Sequence, residues 1–66
     1  MRVTLYNKTD PAGVFEIQTT RTAKELSEFL ETTISQQQPI RMSLFNGSYL
    51  ILQYSEYEGY RILVSE

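Results

Sequence analysis

The chain has no cysteine and no histidine among its 66 residues. Without cysteine there is no disulfide staple and no thiolate chemistry. Without histidine as well, the usual zinc ligands are missing, and so is the usual general base near neutral pH. No apolar run approaches the ~18–20 residues needed to span a bilayer. The first residues lack the succession of basic, apolar and small side chains that marks a secretory signal, so the expected location is the cytoplasm. Positive charge is scarce. Six Lys and Arg stand against eight Asp and Glu, for a net charge of −2. That balance argues against a nucleic-acid backbone as partner, because such binding rests on clustered Lys and Arg. It is also far too mild for a polyanion mimic.

A chain of this length forms one domain, residues 1–66, and buries only ~60% of the surface it would expose unfolded. Its stability must come from packing alone, or from packing plus oligomerisation.

Residues 40–64, IRMSLFNGSYLILQYSEYEGYRILV, hold most of the apolar side chains. They are expected to form three antiparallel strands joined by two tight turns. Asn46-Gly47 suits a two-residue type I′ turn, which needs positive φ at both central positions. That turn sets Phe45 opposite Ser48, Met42 opposite Ile51 and Ile40 opposite Gln53. Alternation then sorts Ile40, Met42, Leu44, Tyr49, Ile51 and Gln53 onto one face, and Arg41, Ser43, Phe45, Ser48, Leu50 and Leu52 onto the other. A second turn at Glu58-Gly59 opposes Tyr57 to Tyr60 and Glu56 to Arg61. It adds Tyr57, Tyr60, Ile62 and Val64 to the first face, and Tyr54, Leu63, Glu56 and Arg61 to the second. A longer loop over Ser55–Gly59 is the alternative, and would exchange the faces of the last strand.

Two further strands are expected at Arg2–Lys8 and Val14–Thr20, joined through Pro11-Ala12-Gly13 with Asp10 at the head of the turn. In that register Lys8 faces Glu16, Tyr6 faces Gln18 and Thr4 faces Thr20. Val3, Leu5, Phe15 and Ile17 gather on the other face. Thr22–Gln38 reads as a helix that opens on a capping box, Thr22 with Glu25. Ala23, Leu26, Phe29, Leu30 and Ile34 form its apolar stripe at a 3.6-residue period. Lys24, Glu25, Glu28, Glu31 and Thr32 face elsewhere. Gln36–Gln38 frays into a connector, and Pro39 starts the next strand.

The fold class is therefore α+β, in the order β-β-α-β-β-β. One helix covers one face of a mostly antiparallel sheet of about five strands. In element order alone, this plan resembles the β-grasp of ubiquitin-like domains, a plan that hosts many functions.

Catalysis is not expected. Asp10 is assigned to a turn, Glu25 to a cap, and Glu16 and Glu56 to cross-strand partners. No nucleophile stands beside a base, and no cofactor is implied. The expected function is that of a small protein-binding module, a regulator or inhibitor in the size class of accessory factors of mobile elements. Its contact surface is an apolar sheet face formed by Phe45, Leu50, Leu52, Tyr54 and Leu63, flanked by Arg41 and Arg61, or else a strand edge. Three alternatives stand beside it: the same face as a homodimer seam, the same face buried within the monomer, and a weak single-stranded nucleic-acid platform built from tyrosines and arginines. No membrane partner is expected.

Overall fold

A computed structural model describes all of residues 1–66. The fold is α+β, with one main helix packed against antiparallel strands. The strands are β1 (Arg2–Asn7), β2 (Asp10–Glu16), β3 (Ile40–Ser43), β4 (Tyr49–Leu52) and β5 (Arg61–Ser65). The helices are α1 (Ala23–Ser35) and a single turn, α2 (Tyr54–Tyr57). The strands form two sheets, β2-β1-β5 and β3-β4, rather than the single sheet expected. All pairings are antiparallel. Past its end, β2 ties the two sheets together. Ile17 bridges to Leu44, and the Gln18 N–H donates to the Ser43 carbonyl at 2.8 Å.

The first hairpin closes earlier than its turn residues suggest. The loop is Lys8-Thr9, with Asn7 opposite Asp10 and Lys8 in the left-handed region at φ 62°. Asp10 and Pro11 belong to β2, and the register shifts at Ala12, where Tyr6 faces Pro11 but Leu5 faces Gly13. An outer strand tolerates Pro because its missing N–H would have pointed to solvent, and the bulge absorbs the extra residue. Glu16 consequently faces Arg2 instead of Lys8, a slip of six residues. An even slip leaves every side chain on its own face, so Val3, Leu5, Phe15 and Ile17 still point to one side. The charge pair survives with a new member: Arg2 Nε lies 3.3 Å from the Glu16 carboxylate.

Helix α1 begins as its sequence directs. The Thr22 hydroxyl accepts from the Glu25 N–H at 3.2 Å, and the Glu25 carboxylate accepts from the Thr22 N–H at 2.9 Å. These bonds, that to the Thr22 main chain first, hold the Glu25 carboxyl below the usual range. α1 ends at Ser35, and Gln36–Gln38 form the expected connector, as a hydrogen-bonded turn. Gln37 turns left-handed at φ 56°, and the Gln38 N–H donates back to the Thr33 carbonyl at 3.1 Å. This bond satisfies one of the carbonyls a helix end leaves open. Leu26 and Leu30 are buried, whereas Phe29 lies at the rim beneath the Arg21 guanidinium, 4.2 Å from its ring centroid.

The second half of the chain departs most from expectation. Tyr54–Tyr57 is helical, not a strand, so Tyr57 does not face Tyr60 and Glu56 does not face Arg61. The Glu56 carboxylate instead accepts from the Gln53 N–H at 2.8 Å. Glu58 (φ −61°, ψ 136°) and Gly59 (φ 79°) then make a type II turn, closed by the Tyr60 N–H on the Tyr57 carbonyl at 3.1 Å. β5 returns to pair with β1, so Tyr6 faces Arg61 and Val3 faces Val64.

The core gathers Val3, Ile17, Leu26, Leu30, Ile40, Met42 and Tyr57 from both sheets and both helices. Tyr57 is the largest of the fully buried side chains. Its hydroxyl donates to the Gln38 carbonyl, and its ring meets that of Tyr54 edge-on at 5.5 Å. Burial first, and the neighbouring Tyr54 second, raise the Tyr57 hydroxyl above the ordinary tyrosine value.

Candidate functional site

The β3-β4 hairpin carries the most exposed large apolar side chains. Its register differs by one residue from that set by a two-residue Asn-Gly turn. The loop is Phe45-Asn46-Gly47: the Gly47 N–H donates to the Leu44 carbonyl (3.2 Å) and the Leu44 N–H to the Ser48 carbonyl (2.9 Å). Gly47 takes the left-handed position at φ 86°, and the Asn46 side-chain oxygen accepts from the Ser48 N–H at 2.9 Å. This is a type I turn followed by a bulge, the usual form of a three-residue hairpin loop. Ser43 therefore faces Tyr49, Met42 faces Leu50, Arg41 faces Ile51 and Ile40 faces Leu52.

A slip of one residue exchanges the two faces of a strand. Leu50 and Leu52, expected on the outer surface, pack half-buried against the core beside Met42 and Ile40. Tyr49 and Ile51, expected in the core, stand outside, 76% and 54% exposed. Phe45, at the loop tip, is 64% exposed. Tyr54 packs half-buried on the core from α2. Leu63 is 49% exposed but lies on the other sheet, in a row with Thr4 and Val14. Phe45, Leu50, Leu52, Tyr54 and Leu63 thus do not share a face.

The flanking arginines are separated too. Arg41 shares the outer face of β3-β4 with Ser43, Tyr49 and Ile51. Arg61 lies on β5 above the Tyr6 ring, 5.5 Å from its centroid, and donates to the Lys8 carbonyl at 3.2 Å. The structure thus assembles an outer surface of Arg41, Ser43, Tyr49 and Ile51, with Phe45 at its end. Sequence reasoning placed Tyr49 and Ile51 inside because it chose the shorter turn. The sole sign to the contrary was the run Tyr49-Leu50-Ile51-Leu52, whose side chains are apolar on both faces.

β4 is also an edge: it pairs with β3 and nothing else. Proteins blunt such edges with charge, proline or bulges. β2 carries Asp10, Pro11, a bulge and Glu16, and β5 carries Arg61, whereas β4 has none of these.

One hollow of about 190 Å³ lies between α1 and β3, with Arg21, Phe29, Arg41 and Ser43 among its walls. Two larger ones, of about 490 and 670 Å³, have a single apolar side chain each, Phe29 and Phe45. Sites for small molecules are lined mainly by apolar and aromatic side chains. No three His, Cys, Asp or Glu side chains cluster as a metal would require. No helix is long and apolar enough to cross a membrane. Comparison with protein-family models, with curated proteins and with solved structures gives no match.

Proposed function

We propose that this chain is a small protein-binding module, without enzymatic chemistry, whose contact element is the β3-β4 hairpin. One observation carries this reading: Tyr49 and Ile51 stand exposed side by side on an edge strand that has no charged residue and no proline. Aromatic and aliphatic side chains beside an arginine, here Arg41, have the composition of an interface core. An open edge adds main-chain hydrogen bonding for an incoming strand. Three of the acidic side chains serve the fold: Glu25 and Glu56 hold main-chain N–H groups and Glu16 holds Arg2. In this reading the module acts as a regulator or inhibitor in the cytoplasm.

The test compares capture from a lysate of the source cells by the wild-type chain, by a Tyr49→Ser/Ile51→Thr variant and by a Val14→Ser/Leu63→Ser variant. The last removes the exposed apolar pair of the other sheet. A protein retained by the wild type and the second variant, but lost by the first, supports the hairpin. Equal loss from both variants, or no specific capture, overturns it.

A further inference from the structure

The hydrogen-bond pattern of the hairpin states which main-chain groups β4 leaves open. In an antiparallel ladder, residues bonded to the partner strand alternate with residues that point away from it. Leu44 bonds to Ser48 across the hairpin, so Met42 with Leu50 and Ile40 with Leu52 are the bonded pairs that follow. The alternation holds on β3, where Ser43 points away from β4 and accepts from Gln18. On β4 the open N–H and C=O groups are therefore those of Tyr49 and Ile51, the two residues whose side chains are also exposed.

We propose that this edge takes a second copy of the same strand, antiparallel, centred on Leu50. The proposal rests on the reading of β4 as contact strand and names its partner. Both strands must present the same face for the sheet to continue, so a residue, not a peptide bond, lies on the two-fold axis. Of the residues available, Leu50 alone fits. Centring on Ile51 would oppose Tyr49 to Gln53, whose N–H and C=O already serve Glu56. Centring on Tyr49 would oppose Ile51 to Gly47, whose N–H closes the loop. Centring on Leu50 opposes Tyr49 to Ile51 of the second copy and pairs every open group on both.

The absence of charge agrees with this partner. β4 has no charged residue, so no like charges meet across the seam, which a foreign strand of arbitrary sequence would not ensure. Tyr49 packs beside Ile51 of the second copy, an aromatic and β-branched cross-strand pair. Only four residues per strand take part, so the buried area falls below the ~1,200 Å² of a standard interface. The dimer is consequently weak and depends on concentration. Its four-stranded sheet presents Arg41, Tyr49 and Ile51 of both copies on one outer surface.

The experiment is amide hydrogen exchange and sedimentation equilibrium on the full chain, from micromolar to millimolar concentration. Leu50 and Leu52 amides should be protected throughout. Tyr49 and Ile51 amides should slow by about tenfold or more only where the mass doubles, as expected when an open edge becomes a ladder. A chemically synthesised chain N-methylated at Ile51 should melt like the wild type and stay monomeric, and Ile51→Lys should do the same. A monomer at all concentrations, or a dimer whose Tyr49 and Ile51 amides exchange unchanged, overturns the pairing. If the chain stays monomeric yet loses a captured protein through Tyr49→Ser/Ile51→Thr, self-pairing fails while the protein-binding reading stands. If the dimer forms as described and capture ignores the hairpin, the reverse holds.

Discussion

The hydroxyl of Tyr57 donates to the main-chain carbonyl of Gln38, nineteen residues earlier in the chain. This bond fastens the single turn of α2 to the segment that leaves α1, and it lets a phenol sit in the core with its polar end satisfied.

Tyr57→Phe keeps the ring and removes the donor, leaving the Gln38 carbonyl without it. The expected loss is about 1 kcal/mol in urea unfolding at neutral pH. The pH dependence has a definite sign. The folded state raises the Tyr57 value, so its contribution is complete below the unfolded tyrosine value of about 10 and is lost as pH rises through the folded one. Alkaline melts should show the wild type losing stability above about pH 10 more steeply than Tyr57→Phe.

The hairpin register is checked by lysine at adjacent positions. In dilute solution Leu50→Lys should cost about 2 kcal/mol, because Leu50 packs on the core. Ile51→Lys should stay within about 0.5 kcal/mol, because its side chain already stands in water. Thermal denaturation of the two variants decides the matter; the reverse order would restore the shorter turn.

Two positions test left-handed backbone in opposite directions. Gln37 holds φ 56° with a side chain, so Gln37→Gly should raise stability by about 1 kcal/mol. Gly47 holds φ 86°, and a Cβ there would meet nothing within 4 Å. Gly47→Ala should therefore cost about 1 kcal/mol through backbone strain alone. Calorimetric midpoints should move in opposite directions.

The capping box gives an acid limb. Bonds to Thr22 lower the Glu25 value in the folded state. Its stabilisation is present above the unfolded glutamate value and is lost as pH falls through the folded one. Glu25→Gln should remove that part of the acid dependence and leave the helix content near neutral pH almost unchanged, as followed by circular dichroism.

The elements that local chemistry controls were legible before the structure. Thr22 and Glu25 announce the start of α1 because their bonds span a single turn. The apolar face of the first hairpin was legible although its turn was not, because a slip of six residues preserves the faces. The slip of one residue at Phe45-Asn46-Gly47 was costly for the same reason, moving Tyr49 and Ile51 from core to surface. α2 was hidden because four residues are too short to show a helical period. The placement of Tyr57 depends on Gln38, and that of β5 on β1, relationships that no local pattern encodes. The candidate surface shared only Phe45 and Arg41 with the residues first selected, since its composition follows directly from the register.

The loop at the end of the hairpin also bears on how this sequence can change. Leu44 already pairs with Ser48, so loss of the single codon for Phe45 would leave Asn46-Gly47 as a two-residue connection. No pair in the ladder would move, and the turn would become the one those two residues favour most. The register of the hairpin thus does not depend on Phe45, whose side chain stands on a solvated tip.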